Sequence, residues 1–500
     1  MEVLAVEFPL SWLLFLASLL LLYKYFTRTW GTWSRQGIPE LKPWIIVGSR
    51  PTVYKGVVHL EDLKYRRRFG QTWGEYEGCH PILFTTDPDL VKVVTVKEFS
   101  NFADRRNFEV KQEIFRNNLA LLQGEQWKAM RSLLGPGFTG SRMKNAVDTF
   151  LESAKTLTQL LKRDGKDGKK GLEITRYFSC FGLDVLASYG FGVEVSSLEN
   201  TETPFVKNAL RLFTCADLGN PMIVFALAFP KILSFLDVFP PDAHDFFVKT
   251  IQDIVKARKD GPDSGLRKDY VDIILQAIKQ SEENKEYKRM GITQKLLEEQ
   301  LMLFFIAGYD TMKTSMSFTS YYLALHPDIQ SQVREEILDA IKETDGEVRH
   351  GTLSKLPLMD ACIAESFRLQ PPVNRLERVA KRDFHYKNIF IPKGTVVQIP
   401  TYTLHREPEE FPDPEVWKPK RFLEGNQTHN PYAYIPFGSG PRICIGMRLA
   451  QDIMRFAFVH VLKELEIVRT PETPEKVEYM EGLHFAMQPT NLVVGFRSLH

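Results

Sequence analysis

Cys444 stands in the stretch Phe437-Gly438-Ser439-Gly440-Pro441-Arg442-Ile443-Cys444-Ile445-Gly446, directly before a run with apolar residues at Leu449, Ile453, Phe456, Ala457 and Val461. That spacing predicts an amphipathic helix and puts the thiol at its N-terminus, where free amides and the helix dipole favour the thiolate, the form that binds metal. Gly440 and Gly446 would let the backbone lie against a planar macrocycle, and Arg442 would answer a carboxylate on it. Gly438 and Gly440 also mimic the start of a dinucleotide fingerprint, but Ile443 replaces its third glycine and no strand of a βαβ unit leads in. That reading is rejected. Cys79, Cys180, Cys215 and Cys362 are read as small buried hydrophobes.

A second group is Ala307-Gly308-Tyr309-Asp310-Thr311, a glycine and a carboxylate set inside an apolar helical run. A mid-helix glycine costs about 1 kcal/mol relative to alanine, so something must compensate. Gly308 would leave room for a flat ligand or small molecule, and the Thr311 hydroxyl would bond the carbonyl three or four residues back. The plainer alternative makes Gly308 a helix-packing residue and pairs Asp310 with a neighbouring base. A third group is Glu365 and Arg368, which meet on one face of a helical stretch from Met359 to Leu369, with Arg421 downstream able to close a buried charged triad.

These groups need a frame. From Thr293 to His326 the pattern is helical for about 34 residues, roughly 50 Å, and apolar on every face from Leu301 to Ile306, so it must run through a core. Thr293 is its expected N-cap and Pro327 its stop. Short β-rich stretches such as Pro81 to Thr86 and Ile389 to Ile399 are minor beside the helices, which predicts a mainly α fold with a smaller β region. Asp164 to Gly171 and Asp260 to Gly265 read as polar surface connections.

An apolar run of about sixteen residues, Phe8 to Tyr23, would span roughly 24 Å as a helix, with Tyr25, Phe26, Trp30 and Trp33 completing a bilayer crossing at the interface. Glu2 and Glu7 precede it and no small-residue cleavage site follows, so residues 1–27 are expected to be a retained anchor. Lys24, Arg28, Arg35 and Lys42 follow the run, which directs the rest of the chain to the cytoplasm. Residues 28–43, with Gly37-Ile38-Pro39 and Pro43, read as a stiff linker, and 44–500 as one domain. The 64 basic and 62 acidic residues balance, which gives no reason to expect a nucleic-acid partner. Five scattered cysteines exclude a secreted disulfide framework.

Taken together, the three groups resemble the cytochrome P450 superfamily. Phe437 to Gly446 matches its haem signature Phe-x-x-Gly-x-Arg-x-Cys-x-Gly at every fixed position, and Glu365 with Arg368 its Glu-x-x-Arg pair. Asp104-Arg105-Arg106 and Arg375-Leu376-Glu377-Arg378 are similar to the clan of mammalian family-3 microsomal enzymes, while Met312 and Lys420 depart from its usual residues. The resemblance implies a P450 fold behind an N-terminal transmembrane helix, with haem b held through Cys444. It also implies Arg105, Trp127, Arg131, Arg378 and Arg442 as propionate partners, with Ala307, Gly308, Phe437, Gly438 and Gly446 against the macrocycle. Asp310 and Thr311 would deliver protons during oxygen activation; Leu119, Leu303, Ile306, Ala307 and Val373 would line a lipophilic pocket, and Glu365, Arg368 and Arg421 would be structural.

No motif here supplies reducing equivalents, so the resemblance further implies NADPH-cytochrome P450 reductase, with cytochrome b5 as a second partner, at the endoplasmic reticulum membrane. Lys128, Lys144, Lys418, Lys420 and Arg448 are the expected docking residues. The implied activity is insertion of one oxygen atom into lipophilic substrates such as xenobiotics or steroids. Two other readings remain open: an isomerase that rearranges a lipid peroxide without external electrons, and a haem-binding protein without turnover. The aromatic-rich region Phe205 to Phe247 is read mostly as core.

Overall fold

The structure, a computed structural model, describes residues 10–107, 110–213, 228–235, 237, 239–261, 269–344, 346–484 and 486–499. Cys215 and most of the Asp260–Gly265 connection lie outside them.

Helix α1 (Leu10–Thr27) is apolar, with a mean hydropathy of 1.6, and none of its residues is buried, although Phe26 at its C-terminal end meets Phe229 edge to face at 5.9 Å. At 1.5 Å per residue its 18 residues reach about 27 Å, close to the ~30 Å of a bilayer's hydrocarbon. The following segment is not a free spacer. Trp33 is 0% exposed and packs with Ile38, Tyr76 and Leu83, so it belongs to the domain core and not to the membrane interface expected for it. A Cβ on Gly74 would fall 2.0 Å from the Trp33 ring, which explains why the facing strand carries glycine there.

The β region is a four-stranded sheet ordered β1 (Thr72–Glu77), β2 (His80–Thr85), β4 (Val396–Pro400), β3 (Arg375–Val379), in which β2 and β4 run parallel. Ile389 to Ile399, expected as one β stretch, divides into Ile389–Ile391 and β4 around the turn at Gly394, where φ is 84°.

Helices make up most of the core. With α2 for Gly124–Leu134, α3 for Ile174–Phe191, α4 for Gln294–Leu325, α5 for Pro357–Leu369 and α6 for Met447–Glu464, the organising pair is α3 against α4. Thr293 caps α4 by accepting from the Leu296 amide, and the helix stops at His326 before Pro327, as its sequence predicts. The pair packs antiparallel by alternating bulk with glycine. Phe304 fills the space over Gly190, Leu186 the space over Gly308, and Met312 the space over Gly182. A Cβ on Gly308 would meet Leu186 at 2.7 Å, so Gly308 is a packing residue and does not open the helix to a ligand. The same contact accounts for Met312, which faces α3. Phe191, Phe205, Phe247 and Phe305 stack edge to face beside this seam, placing that part of the aromatic region in the core.

Candidate active site

Cys444 sits on a tight loop closed by its own amide donating to the Phe437 carbonyl at 2.9 Å. The turn needs left-handed backbone at Gly438 and Gly440, with φ of 79° and 71°. At Gly440 a Cβ would also lie 2.0 Å from the Thr95 carbonyl oxygen, so this glycine serves close approach to the neighbouring helix end and does not face a macrocycle. A Cβ on Gly446 would meet only the Phe138 ring, in ordinary contact at 3.7 Å, so the space beside this glycine is largely clear.

The thiol precedes α6, whose N-cap is Gly446, and it receives that residue's amide. Burial nonetheless pushes the Cys444 thiol up, against the lowering effects of the Gly446 amide, Arg131 and Arg105. The helix start therefore does not by itself make the thiolate; a cation bound to the sulfur must do so. Cys444 is exposed by its own surface although its surroundings desolvate it strongly. Both facts hold because the sulfur lines a hollow inside the protein, and the exposure is internal.

Four arginines surround this hollow. Arg378 is 1% exposed and, among the described residues, donates once, from Nη1 to the Glu377 carbonyl at 2.7 Å, while its Nε has no partner there. Burial, with Arg105 and Arg442 opposite, holds it well below the usual arginine range. Arg105 likewise keeps a buried, unpartnered Nε and is lowered by burial. Arg131, on α2, is lowered by burial, and its side chain forms no hydrogen bond or ion pair among the described residues. Arg442 differs: its guanidinium donates to the carbonyls of Ala103 (2.9 Å), Leu122 (2.7 Å) and Leu119 (3.4 Å) and to Asp104 Oδ1 (3.2 Å). Burial and then Arg105 still push it down to about 9. Trp127 is buried under Arg442, whose guanidinium carbon lies 4.1 Å from the ring, so the cation over this indole is Arg442 and not Arg131.

The long helix faces a hollow along one strip. Ala307 is exposed and Leu303, Ile306, Asp310 and Thr311 are partly so, although the helix around them is packed. The strip is tied to the cysteine loop through Leu119, which is buried: its carbonyl accepts from Arg442, and its amide donates to Gln300 Oε1 on α4 at 2.9 Å. Val373 is partly exposed and its backbone bridges to Ala486. The Thr311 hydroxyl donates to the Ala307 carbonyl at 2.7 Å, the back-bond its position predicts. Asp310 is paired with Lys313 at 2.7 Å, the plainer of its two sequence readings. Surface hollows of about 490 and 420 Å³, at Gln280–Tyr287 and Ile329–Asn426, share no residue with this cleft.

The triad closes as expected. Arg368 Nε and Nη2 grip Glu365 at 2.8 and 2.9 Å, both side chains fully buried, and Arg421 Nε joins at 3.1 Å. Phe437 stacks edge to face on Phe367 of the triad's helix, 5.2 Å between centroids, which rests the cysteine loop on it.

Sequence reasoning missed Asp104, which receives the Gly124 amide at 3.1 Å and Arg442 and so aligns α2 with the cysteine loop. It also missed Gln300, Lys313 and Gln488. The i, i+3 charge spacing was a usable signal for Lys313; for the others the partner is remote in the chain.

Among the described residues no group of His, Cys, Asp and Glu can hold a bare metal ion. One sulfur, a clear space beside Gly446 and a ring of under-satisfied guanidiniums instead fit a flat, dianionic cofactor with a single protein ligand. Comparison with known proteins agrees: residues 38–496 match the family model for Cytochrome P450. The chain belongs to the cytochrome P450 family. It is 34% identical over 497 residues to cytochrome P450 3A40 of Oryzias latipes, covering 98% of this chain and 97% of that one. It is 37% identical over 472 residues to cytochrome P450 3A12 of Canis lupus familiaris, and 35% over 471 residues to cytochrome P450 3A9 of Rattus norvegicus, each covering 93% of this chain and 92% of the relative. As a member of this family the chain is a haem-thiolate monooxygenase, and its cofactor is haem b.

Proposed function

We propose that this P450 inserts one oxygen atom into lipophilic substrates, xenobiotics or steroids among them, with electrons passed from NADPH by a separate reductase. The observation that carries the reading is the set of under-satisfied arginines around Cys444: Arg378 and Arg105 keep buried donors that only an anionic ligand would use. Bound there, haem would supply the oxidation, and Cys444 is the residue that would hold its iron. Arg105, Arg131 and Arg378 would hold its carboxylates. Arg442 has four of its five N–H directions on protein groups, so it chiefly positions the loop and adds one donor. Trp127 supports Arg442 from below.

Ala307, Leu303 and Ile306, with Leu119 and Val373, present an apolar wall that orients an oily substrate and excludes bulk water. Thr311 and Asp310 hold the water that carries protons inward; the Thr311 hydroxyl can leave its bond to the Ala307 carbonyl for that water without leaving the helix.

Helix α1 anchors the protein in the endoplasmic reticulum membrane as a single pass, with the domain on the cytoplasmic side. Exposed Trp44, Ile45 and Ile46 form a tip that gives the domain a second apolar contact with the same bilayer. Lys128, Lys418, Lys420 and Arg448 are the cations that would meet the reductase and cytochrome b5; the side chain of Lys144 lies outside the described residues. Lys128 and Lys418 are exposed and held by Glu125 and Asp413, so the face is only partly free of local partners.

Replacing Cys444 by serine tests the reading. The red-shifted carbon monoxide band of thiolate-ligated ferrous haem should disappear completely, and NADPH-dependent product formation with it. Retention of the band would remove Cys444 from its role. Turnover of a lipid peroxide by the native enzyme without NADPH or reductase, and none of other lipids with them, would favour the isomerase reading.

A further inference from the structure

We propose that Lys313 is a positioning residue of the oxygen-activation site, holding the Asp310 carboxylate against the C-terminal segment and so fixing where protons enter toward Thr311. The inference rests on the proton-delivery role proposed above for Asp310 and Thr311.

Lys313 Nζ lies 2.7 Å from Asp310 Oδ1 and 3.1 Å from Gln488 Oε1. The two side chains of the ion pair are 15% and 26% exposed, enclosed enough that water competes weakly for them. The next residue repeats the clasp, with the Thr314 hydroxyl donating to the Met487 carbonyl at 3.1 Å. That segment in turn reaches the substrate side: the Met487 amide donates to the Pro372 carbonyl at 3.1 Å, and Ala486 bridges to Val373. Asp310 is thus bonded to Lys313 and not to Thr311, whose hydroxyl points to Ala307. The acid and the alcohol are separated, and the cation stands on the acid between it and Gln488. An ammonium has a further hydrogen beyond the two used here, which can hold the first water of an inward path. A residue that only packed would need neither the carboxylate nor the amide of Gln488.

The test uses the full-length haem enzyme with NADPH and reductase, reading the ratio of hydrogen peroxide to product. Lys313→Met should raise that ratio several-fold at unchanged haem content, and Lys313→Arg should restore most of the loss. Asp310→Asn should give a comparable rise, and the double variant no further one, because Lys313 acts through Asp310. A second reading is independent of turnover: in thermal unfolding, the double variant should lose less melting temperature than the sum of the two singles. A wild-type peroxide ratio in Lys313→Met beside an uncoupled Asp310→Asn would overturn the role of Lys313 alone, as would additive effects in the double variant. A wild-type ratio in Asp310→Asn would instead overturn the proton-delivery reading beneath it.

Discussion

Arg368 and Arg378 are both buried guanidiniums, 0% and 1% exposed, and their surroundings could hardly differ more. Every N–H direction of Arg368 has a protein acceptor: Glu365 twice, and the carbonyls of His405 (3.0 Å), Pro414 (2.7 Å) and Val416 (3.2 Å). Glu365 is equally saturated, receiving the Lys418 amide at 2.8 Å and Arg421 besides. Arg378 has one such bond and faces two further cations, Arg105 and Arg442. Burying a charge without a partner is expensive, so a cluster left in that condition is completed by something other than the chain. A saturated cluster is architecture; an unsaturated one is a binding site.

The comparison breaks most visibly at Arg368. Arg368→Leu leaves the buried Glu365 carboxylate with Arg421 and the Lys418 amide, and the carbonyls of His405, Pro414 and Val416 without their guanidinium donor, and loss of about 3–5 kcal/mol is expected, read from the urea midpoint of the haem-free protein. Arg378→Leu should act with the opposite sign on that measurement, leaving the haem-free protein as stable or more so. It should weaken haem binding by about tenfold to a hundredfold, the worth of a charge-assisted hydrogen bond. If both substitutions destabilise the haem-free protein alike, the distinction between the clusters falls.

A pH titration sharpens the contrast from the saturated side. His405 accepts the Ile435 amide at 3.0 Å through Nε2, so it is buried neutral. Burial, and then Arg368, pushes it down to about 3. In the unfolded chain it takes its proton near pH 6.5. Between those values the unfolded state binds the extra proton, so its contribution is complete above about pH 6.5 and declines as pH falls toward about 3. The slope is at most ~1.4 kcal/mol per pH unit. His405→Gln keeps the acceptor and should flatten the acid limb of stability; an unaltered limb would assign the slope elsewhere. The smallest effect belongs to Arg421→Leu, about 1 kcal/mol, because Glu365 keeps Arg368 and the Lys418 amide.

What could be read from the chain follows its local patterns. The α4 span, its Thr293 cap and its stop before Pro327 come from periodicity and capping chemistry among neighbours. The cysteine loop and the Glu365–Arg368 pair were legible because their spacing alone places the groups on one turn or one helical face. Gly308 was misread because a glycine vacates space without saying for whom; the tenant is Leu186, from another helix. Trp33 was misread because an aromatic after an apolar run looks interfacial, although here it fills the gap over Gly74. At Cys444 the lowering by the Gly446 amide at the helix start is present but opposed by burial, for a related reason: the helix start is visible in sequence, the depth of burial is not.

By itself, then, the order of residues determined the cysteine loop, the helix that crosses the core and the apolar N-terminal helix, since each depends on residues within a few turns of one another. Only the tertiary structure decided which cations remain unpaired around that sulfur, that Arg442 is largely consumed by carbonyls from Ala103 to Leu122, and that Asp310 answers to Lys313 and Gln488. Those outcomes depend on which distant segments meet and how deeply, because desolvation and hydrogen-bond competition are properties of the packed interior and have no local signature.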